Sequence, residues 1–162
     1  MKNKTIARYG LMTALMLILG FLESRIPFPV PGIKLGLANT VLLYALYILG
    51  GKAALVLMAL KVILSGLSFS GLSAMMYSAA GSALSLGLMA LFKYTGGFSV
   101  LGVSVIGAVG HNAGQLLMAC IITSSLAPMA QLPLLLVSAV LTGIATGMAA
   151  RLTVKHLCGR NI

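Results

Sequence analysis

The chain has 162 residues, 60% of them hydrophobic, and carries eleven lysines and arginines against one acid, Glu23, for a formal net charge of +10. A soluble domain usually has about a quarter of its residues charged, with both signs mixed. A charged fraction of 7%, nearly all of one sign, excludes that class and describes an integral membrane protein. The bases stand singly between apolar runs and form no stripe or patch, so nucleic acid is excluded as a partner and membrane topology accounts for them better.

One transmembrane helix takes about 20 mostly apolar residues. Six such spans with short connections therefore use almost all of the 162 residues as a single transmembrane domain, 1–162. The first helix is expected at about 5–22; its basic start resembles a signal peptide, but the apolar run lacks a small-residue cleavage site and continues into Glu23-Ser24-Arg25, so it reads as a retained helix. The connection at 23–34 has proline at every second position from Pro27 to Pro31 and cannot be a membrane helix. Its interleaved Ile26, Phe28 and Val30 suggest a stiff extended flap, a rigid outer loop that is placed to act as a lid.

The second helix is expected at about 35–49, closed by Gly50-Gly51, and the third at about 53–69, closed by Ser70-Gly71. The fourth is expected at about 72–92, the fifth at about 99–123 and the sixth at about 132–150, followed by a basic tail. With the N-terminus in the cytoplasm, that side receives Lys2, Lys4, Arg8, Lys52, Lys93, Arg151, Lys155 and Arg160, and the outer side only Arg25 and Lys34. The division follows the positive-inside rule and puts both termini in the cytoplasm. The expected class is an all-α integral membrane protein, a six-transmembrane-helix bundle.

Composition also removes chemistries. There is no aspartate-rich magnesium motif, no carboxylate dyad and no Walker lysine, and Gly50-Gly51-Lys52 is not a P-loop. Cys120 and Cys158 fall at different levels, which argues against a disulfide or a metal pair. No catalytic residue, metal or cofactor is expected, and any ATP-driven step would belong to another chain.

Small residues recur four apart at Gly10/Ala14, Gly66/Ser70, Gly81/Ser85, Gly110/Gly114 and Gly143/Gly147, a spacing that lets helix backbones approach in lipid. Most of these pairs read as internal packing. The Gly10/Ala14 pair lies on a terminal helix whose outward face could dock a partner.

The polar residues inside the apolar runs are the candidate site. Lys61 lies roughly 12 Å into the third helix, near the bilayer midplane, where a lysine costs on the order of 2.5–3.5 kcal/mol and should face a cavity or counter-charge; the alternative is snorkelling to an interface. His111 and Gln115 share one face of the fifth helix with Asn112 beside them, and Asn39 falls at a similar outer depth on the second helix. A ligand pocket between helices 2, 3 and 5 would use these groups; interhelical hydrogen bonding is the alternative for the helix 5 group. Ser65, Ser68, Ser70 and Ser73 add possible lining. Glu23, at the mouth, is either a loop ion pair with Arg25 or Lys34, or a latch or ligand contact. With no acid expected at the depth of Lys61, the ligand is expected to be polar or anionic.

The segments Val30-Pro31-Gly32-Ile33-Lys34-Leu35-Gly36-Leu37-Ala38-Asn39, Leu60-Lys61-Val62-Ile63-Leu64-Ser65-Gly66 and Gly110-His111-Asn112-Ala113-Gly114-Gln115 resemble the Gx transporter family, which carries the old label heptaprenyl diphosphate synthase component I. The resemblance covers nearly the whole chain. The family is similar to the substrate-binding S components of energy-coupling factor (ECF) transporters, six-helix proteins that capture vitamins and related micronutrients. It implies a membrane subunit in the bacterial plasma membrane that takes a small ligand from outside for uptake, with an ECF transmembrane coupling subunit and two cytoplasmic ATPases as partners. It also implies that Gly10 and Ala14 are docking positions. The synthase label conflicts with the residues: prenyl diphosphate synthesis needs clustered aspartates to hold magnesium, and this chain has none. The other reading is a noncatalytic membrane subunit of a redox or isoprenoid-quinone-related complex. An enzyme using His111 as a base lacks an orienting acid or nucleophile at that depth.

Overall fold

The structure, a computed structural model, describes residues 2–26 and 36–158. Among them all regular structure is helical: α1 (Lys2–Ser24), α2 (Leu37–Ile48), α3 (Gly51–Ser65), a π-helical segment (Gly66–Ser70), α4 (Gly71–Thr95), α5 (Val100–Thr123), a short 3-10 segment (Ala127–Gln131) and α6 (Leu132–Cys158). The proline-alternating flap from Pro27 through Lys34, expected as a lid, lies outside the described residues.

The central element is the shortest. α2 has 12 residues, about 18 Å at 1.5 Å per residue, against a hydrocarbon core of about 30 Å. It buries Ala38, Val41, Leu42, Leu43, Ala45 and Leu46, nearly all round its circumference, as a helix enclosed by protein does. α1, α3 and α6 pack around it. It begins after Gly36, whose φ of 75° needs a residue without a Cβ penalty, and no side chain at that N-cap position reaches its free amides.

α3 and α4 meet at Ser70-Gly71, the boundary marked in the sequence, with the π segment as the last turn of the first arm. No loop separates them: α3 passes into the π segment and α4 starts at Gly71, so the 45 residues from Gly51 to Thr95 follow one another without a connecting loop. The axis nevertheless reverses. Gly71, at φ 80° and ψ 167°, makes the turn, and a Cβ on Gly66 would lie 2.7 Å from the Met75 side chain while one on Gly51 would lie 3.3 Å from the Tyr94 hydroxyl. The two arms are thus antiparallel neighbours. Among the described residues four segments are long and apolar enough to cross a membrane, Asn3–Ser24, Gly51–Thr95, Val100–Thr123 and Ala127–His156, against the six expected; α3 and α4 count there as one segment, and α2 is shorter.

Backbone-to-backbone contact sets the positions of α4, α5 and α6. A Cβ on Gly114 would meet the Ala80 carbonyl oxygen at 2.6 Å, and one on Gly143 would meet Val105 Cα at 2.7 Å, so only glycine lets these helices approach as closely as they do. α5 begins where Ser99 Oγ accepts the Gly102 N–H at 3.2 Å, an N-cap bond. α6 continues past the expected end at Ala150 to Cys158. Its basic residues Lys155 and His156 fall in the last turn, where cations complement the helix dipole, and Val154 is fully buried.

One end of the bundle is basic. A groove joins Arg8 to Ile48 and Leu49 at the end of α2 and to Thr153 of α6, and Lys93 Nζ donates to the Leu46 carbonyl at 2.6 Å between the rings of Tyr47 and Tyr94, at 5.0 and 4.9 Å. The ends of α1, α3, α4 and α6 that carry Arg8, Lys52, Lys93, Arg151 and Lys155 therefore share a side with the C-terminal end of α2. Glu23, Gly36 and Ser70 lie toward the other. Large apolar side chains cover the outside, as on α1 with Leu11, Ile18 and Leu22 more than half exposed. That is the surface lipid solvates and water does not.

Candidate functional site

α1 presents one stripe inward. Met16, Gly20 and Glu23, spaced four and three apart, share a helical face, and each lines a cavity of about 100 Å³ whose wall draws on all six helices. The cavity runs from Ser24, Gly36 and Ser70 at the non-basic end to Met89 and Ser104 deep in the bundle.

Five of the six expected ligand residues line it: Glu23, Asn39, Lys61, His111 and Asn112. Lys61 Nζ donates to Asn39 Oδ1 at 2.9 Å, which ties α3 to the first turn of α2. Lys61 sits ten residues after Gly51, about 15 Å along the helix, and lines the cavity far from either end of the α3 arm. His111 is 9% exposed and stands at the α4 crossing, where a Cβ on Gly81 would lie 2.7 Å from its carbonyl oxygen. The imidazole can present a donor or an acceptor to the cavity, according to tautomer.

Two expected site residues have structural occupations. Asn112 Nδ2 donates to the Leu135 carbonyl at 2.8 Å, an interhelical bond between α5 and α6 of the kind that holds membrane helices together. Gln115 is outside the cavity wall; its Cγ would be 2.8 Å from a Cβ on Gly81, so it packs in the α4–α5 seam. Of the four serines at the α3–α4 junction, Ser65 and Ser70 line the cavity, whereas Ser68 and Ser73 are exposed elsewhere.

Glu23 corrects the expectation of a loop ion pair with Arg25, and also the expectation that Lys61 shares its surroundings with no acid. Its carboxyl is 6% exposed and Oε1 accepts the Gly36 N–H at 2.5 Å, while the Arg25 guanidinium lies over the Phe21 ring at 4.8 Å. α1 continues as helix through Ser24, so Glu23 obeys helical direction and points in. Lys34, the other expected partner, lies outside the described residues.

Sequence reasoning missed the hydroxyl wall. Ser78 and Ser85 on α4, Ser104 on α5, and Thr142 and Thr146 on α6 line the same cavity, and Ser104 Oγ and Thr146 Oγ1 share a hydrogen bond of 2.9 Å. The signal was present: Ser78/Ser85 and Ser104/His111 are seven apart and Thr142/Thr146 four apart, each pair on one helical face. The docking pair has the opposite setting. Gly10 and Ala14 are exposed on α1, and a Cβ on Gly10 would meet nothing within 4 Å.

Comparison with known proteins gives one positive result. The family model described as heptaprenyl diphosphate synthase component I matches residues 12–153. No curated protein and no solved structure matches.

Proposed function

The chain belongs to the heptaprenyl diphosphate synthase component I family, and from that membership together with the lysine-bearing cavity we propose that it is a ligand-capturing membrane subunit of an ECF-type uptake system. The observation that carries the reading is the convergence of Glu23, Asn39, Lys61 and His111, from α1, α2, α3 and α5, on one cavity. A lysine in a membrane interior is expensive, and a protein that keeps one beside a cavity has a use for its charge.

In this reading the chain crosses the membrane six times, with α3 and α4 as a hairpin and α2 reaching depth inside the protein. The basic end faces the cytoplasm, which puts both termini there, and the cavity opens outward at the end that holds Glu23, Gly36 and Ser70. The cavity is small beside the ~300–1,000 Å³ of drug-sized pockets, so the ligand is a small polar metabolite, or a vitamin-sized one only if the wall moves. The exposed Gly10/Ala14 face of α1 receives a coupling subunit, and two cytoplasmic ATPases supply the energy. The subunit is not itself an enzyme. The chain's lone acid is held against α2, which leaves nothing to assemble the magnesium site a prenyl diphosphate synthase needs. The reading as a noncatalytic redox or isoprenoid-quinone subunit gains no residue from the cavity.

The test is mass spectrometry of small molecules that copurify with the detergent-solubilised protein, compared with Lys61→Ala and His111→Ala. The wild type should carry a ligand and both variants should lose it while eluting as folded protein. A ligand retained by both variants would remove this cavity as its site.

A further inference from the structure

The cavity carries charge of both signs. Lys61 and Glu23, the chain's single acid, line the same wall. Both are fastened to the first turn of α2: Glu23 accepts the Gly36 N–H at 2.5 Å, Lys61 donates to Asn39 Oδ1 at 2.9 Å, and the Asn39 N–H reaches the Gly36 carbonyl at 2.8 Å. One turn of helix rises ~5 Å, so the carboxylate and the ammonium are separated by a turn and their hydrogen-bonded reach, roughly 5–10 Å.

This arrangement has a consequence for ligand charge. A simple anion drawn to Lys61 meets the Glu23 carboxylate in the same low-dielectric space, and a simple cation drawn to Glu23 meets Lys61. A molecule with a group of each sign satisfies both. Taking the cavity as the ligand site of the proposed uptake subunit, we propose that the ligand is a small dipolar molecule, its anionic group received by Lys61 and its ammonium by Glu23, with Ser78, Ser85 and His111 offering hydrogen bonds along its length. The fixed charges cancel, so the site selects against molecules that carry net charge. Asn39 is the positioning residue, since its amide holds the Lys61 ammonium at the α2 end of the cavity.

The experiment uses the full chain in detergent and three probes of one chain length: 4-aminobutanoate, butanoate and butylammonium. Calorimetric or thermal-shift titration of the wild type should rank 4-aminobutanoate at least tenfold above the other two. Glu23→Gln, which keeps an acceptor for the Gly36 N–H, should move the preference to butanoate, and Lys61→Met should move it to butylammonium. If either variant fails to fold, the wild-type ranking alone decides. Butanoate bound as well as 4-aminobutanoate by the wild type overturns the dipolar ligand and leaves the uptake reading standing. If no probe binds, the copurifying molecule decides: a zwitterion supports the proposal, a net anion or cation overturns it, and no molecule at all overturns both the proposal and the uptake reading.

Discussion

Replacing Glu23 with alanine should destabilise the protein through α2, the next helix along the chain. α2 begins at Gly36, which offers no side-chain cap, and the Glu23 carboxylate supplies the acceptor from thirteen residues upstream. A hydrogen bond to a charged group contributes about 1.5–3 kcal/mol, and a carboxylate at a helix N-terminus adds about 0.3–1 kcal/mol through the dipole. At 6% exposure little of this is screened by solvent. Glu23→Ala should therefore lose about 2–4 kcal/mol, and Glu23→Gln, which keeps an acceptor but not the charge, about half of that. For a chain of this size each kcal/mol moves Tm by about 2–4 °C, so the alanine variant should melt about 5–15 °C lower. Near-ultraviolet circular dichroism of the detergent-solubilised protein reads the melt through its five tyrosines. Hydrogen exchange at Leu37–Thr40 gives a local check, because those amides should lose protection first. An alanine variant melting within about 2 °C of wild type, or melting above the glutamine variant, would refute the capping role.

Other perturbations separate packing from interface. Gly114→Val should destabilise the fold by about 1–3 kcal/mol, through overpacking against the Ala80 carbonyl, and should lower the yield of monodisperse protein on size exclusion. Gly10→Val, with open space at its Cβ position, should leave the isolated subunit's melt unchanged and, if α1 docks a coupling subunit, should weaken copurification with it. Lys93→Met removes the donor to the Leu46 carbonyl and the cation between two tyrosine rings; a loss of about 1–3 kcal/mol in thermal unfolding is expected. Gly71→Ala forces a Cβ onto a backbone at φ 80°, ψ 167° and should cost about 1–3 kcal/mol, seen as a lower melt with the hairpin's amides exchanging faster.

What was legible in the sequence was whatever depends on runs of residue type. Apolar segments separated by Gly-Gly, Ser-Gly and Ser-Ser-Pro punctuation locate every helix, because backbone polar groups in lipid leave few alternatives to helix. The small-residue pairs Gly110/Gly114 and Gly143/Gly147 announce close crossings. The boundary between α3 and α4 falls at the Ser-Gly cluster that marks it, but residue types do not show that the five residues before it form a π segment. The length of α6 was misjudged because its basic tail looked like an ending, whereas lysine and arginine are good helix formers and sit well at a C-terminus.

The candidate site was legible in part for a more specific reason. Lys61, Asn39 and His111 stand out against apolar neighbours, so residue type alone marked them, but direction is a matter of phase, and phase must be read from the whole helix. Glu23 shows the difference. Its place beside Arg25 left two readings open, a loop ion pair or a ligand contact at the mouth; counting back along α1 puts it three residues from Gly20 and seven from Met16, on the stripe that faces the cavity. The serines of α4 and the threonines of α6 are common in membrane helices and carry meaning only when the same count aligns them. Once phase is applied, the lone acid moves from the end of a helix to the lining of the cavity that also holds Lys61. The expectation of a polar or anionic ligand then gives way, under the proposal made above, to a dipolar one.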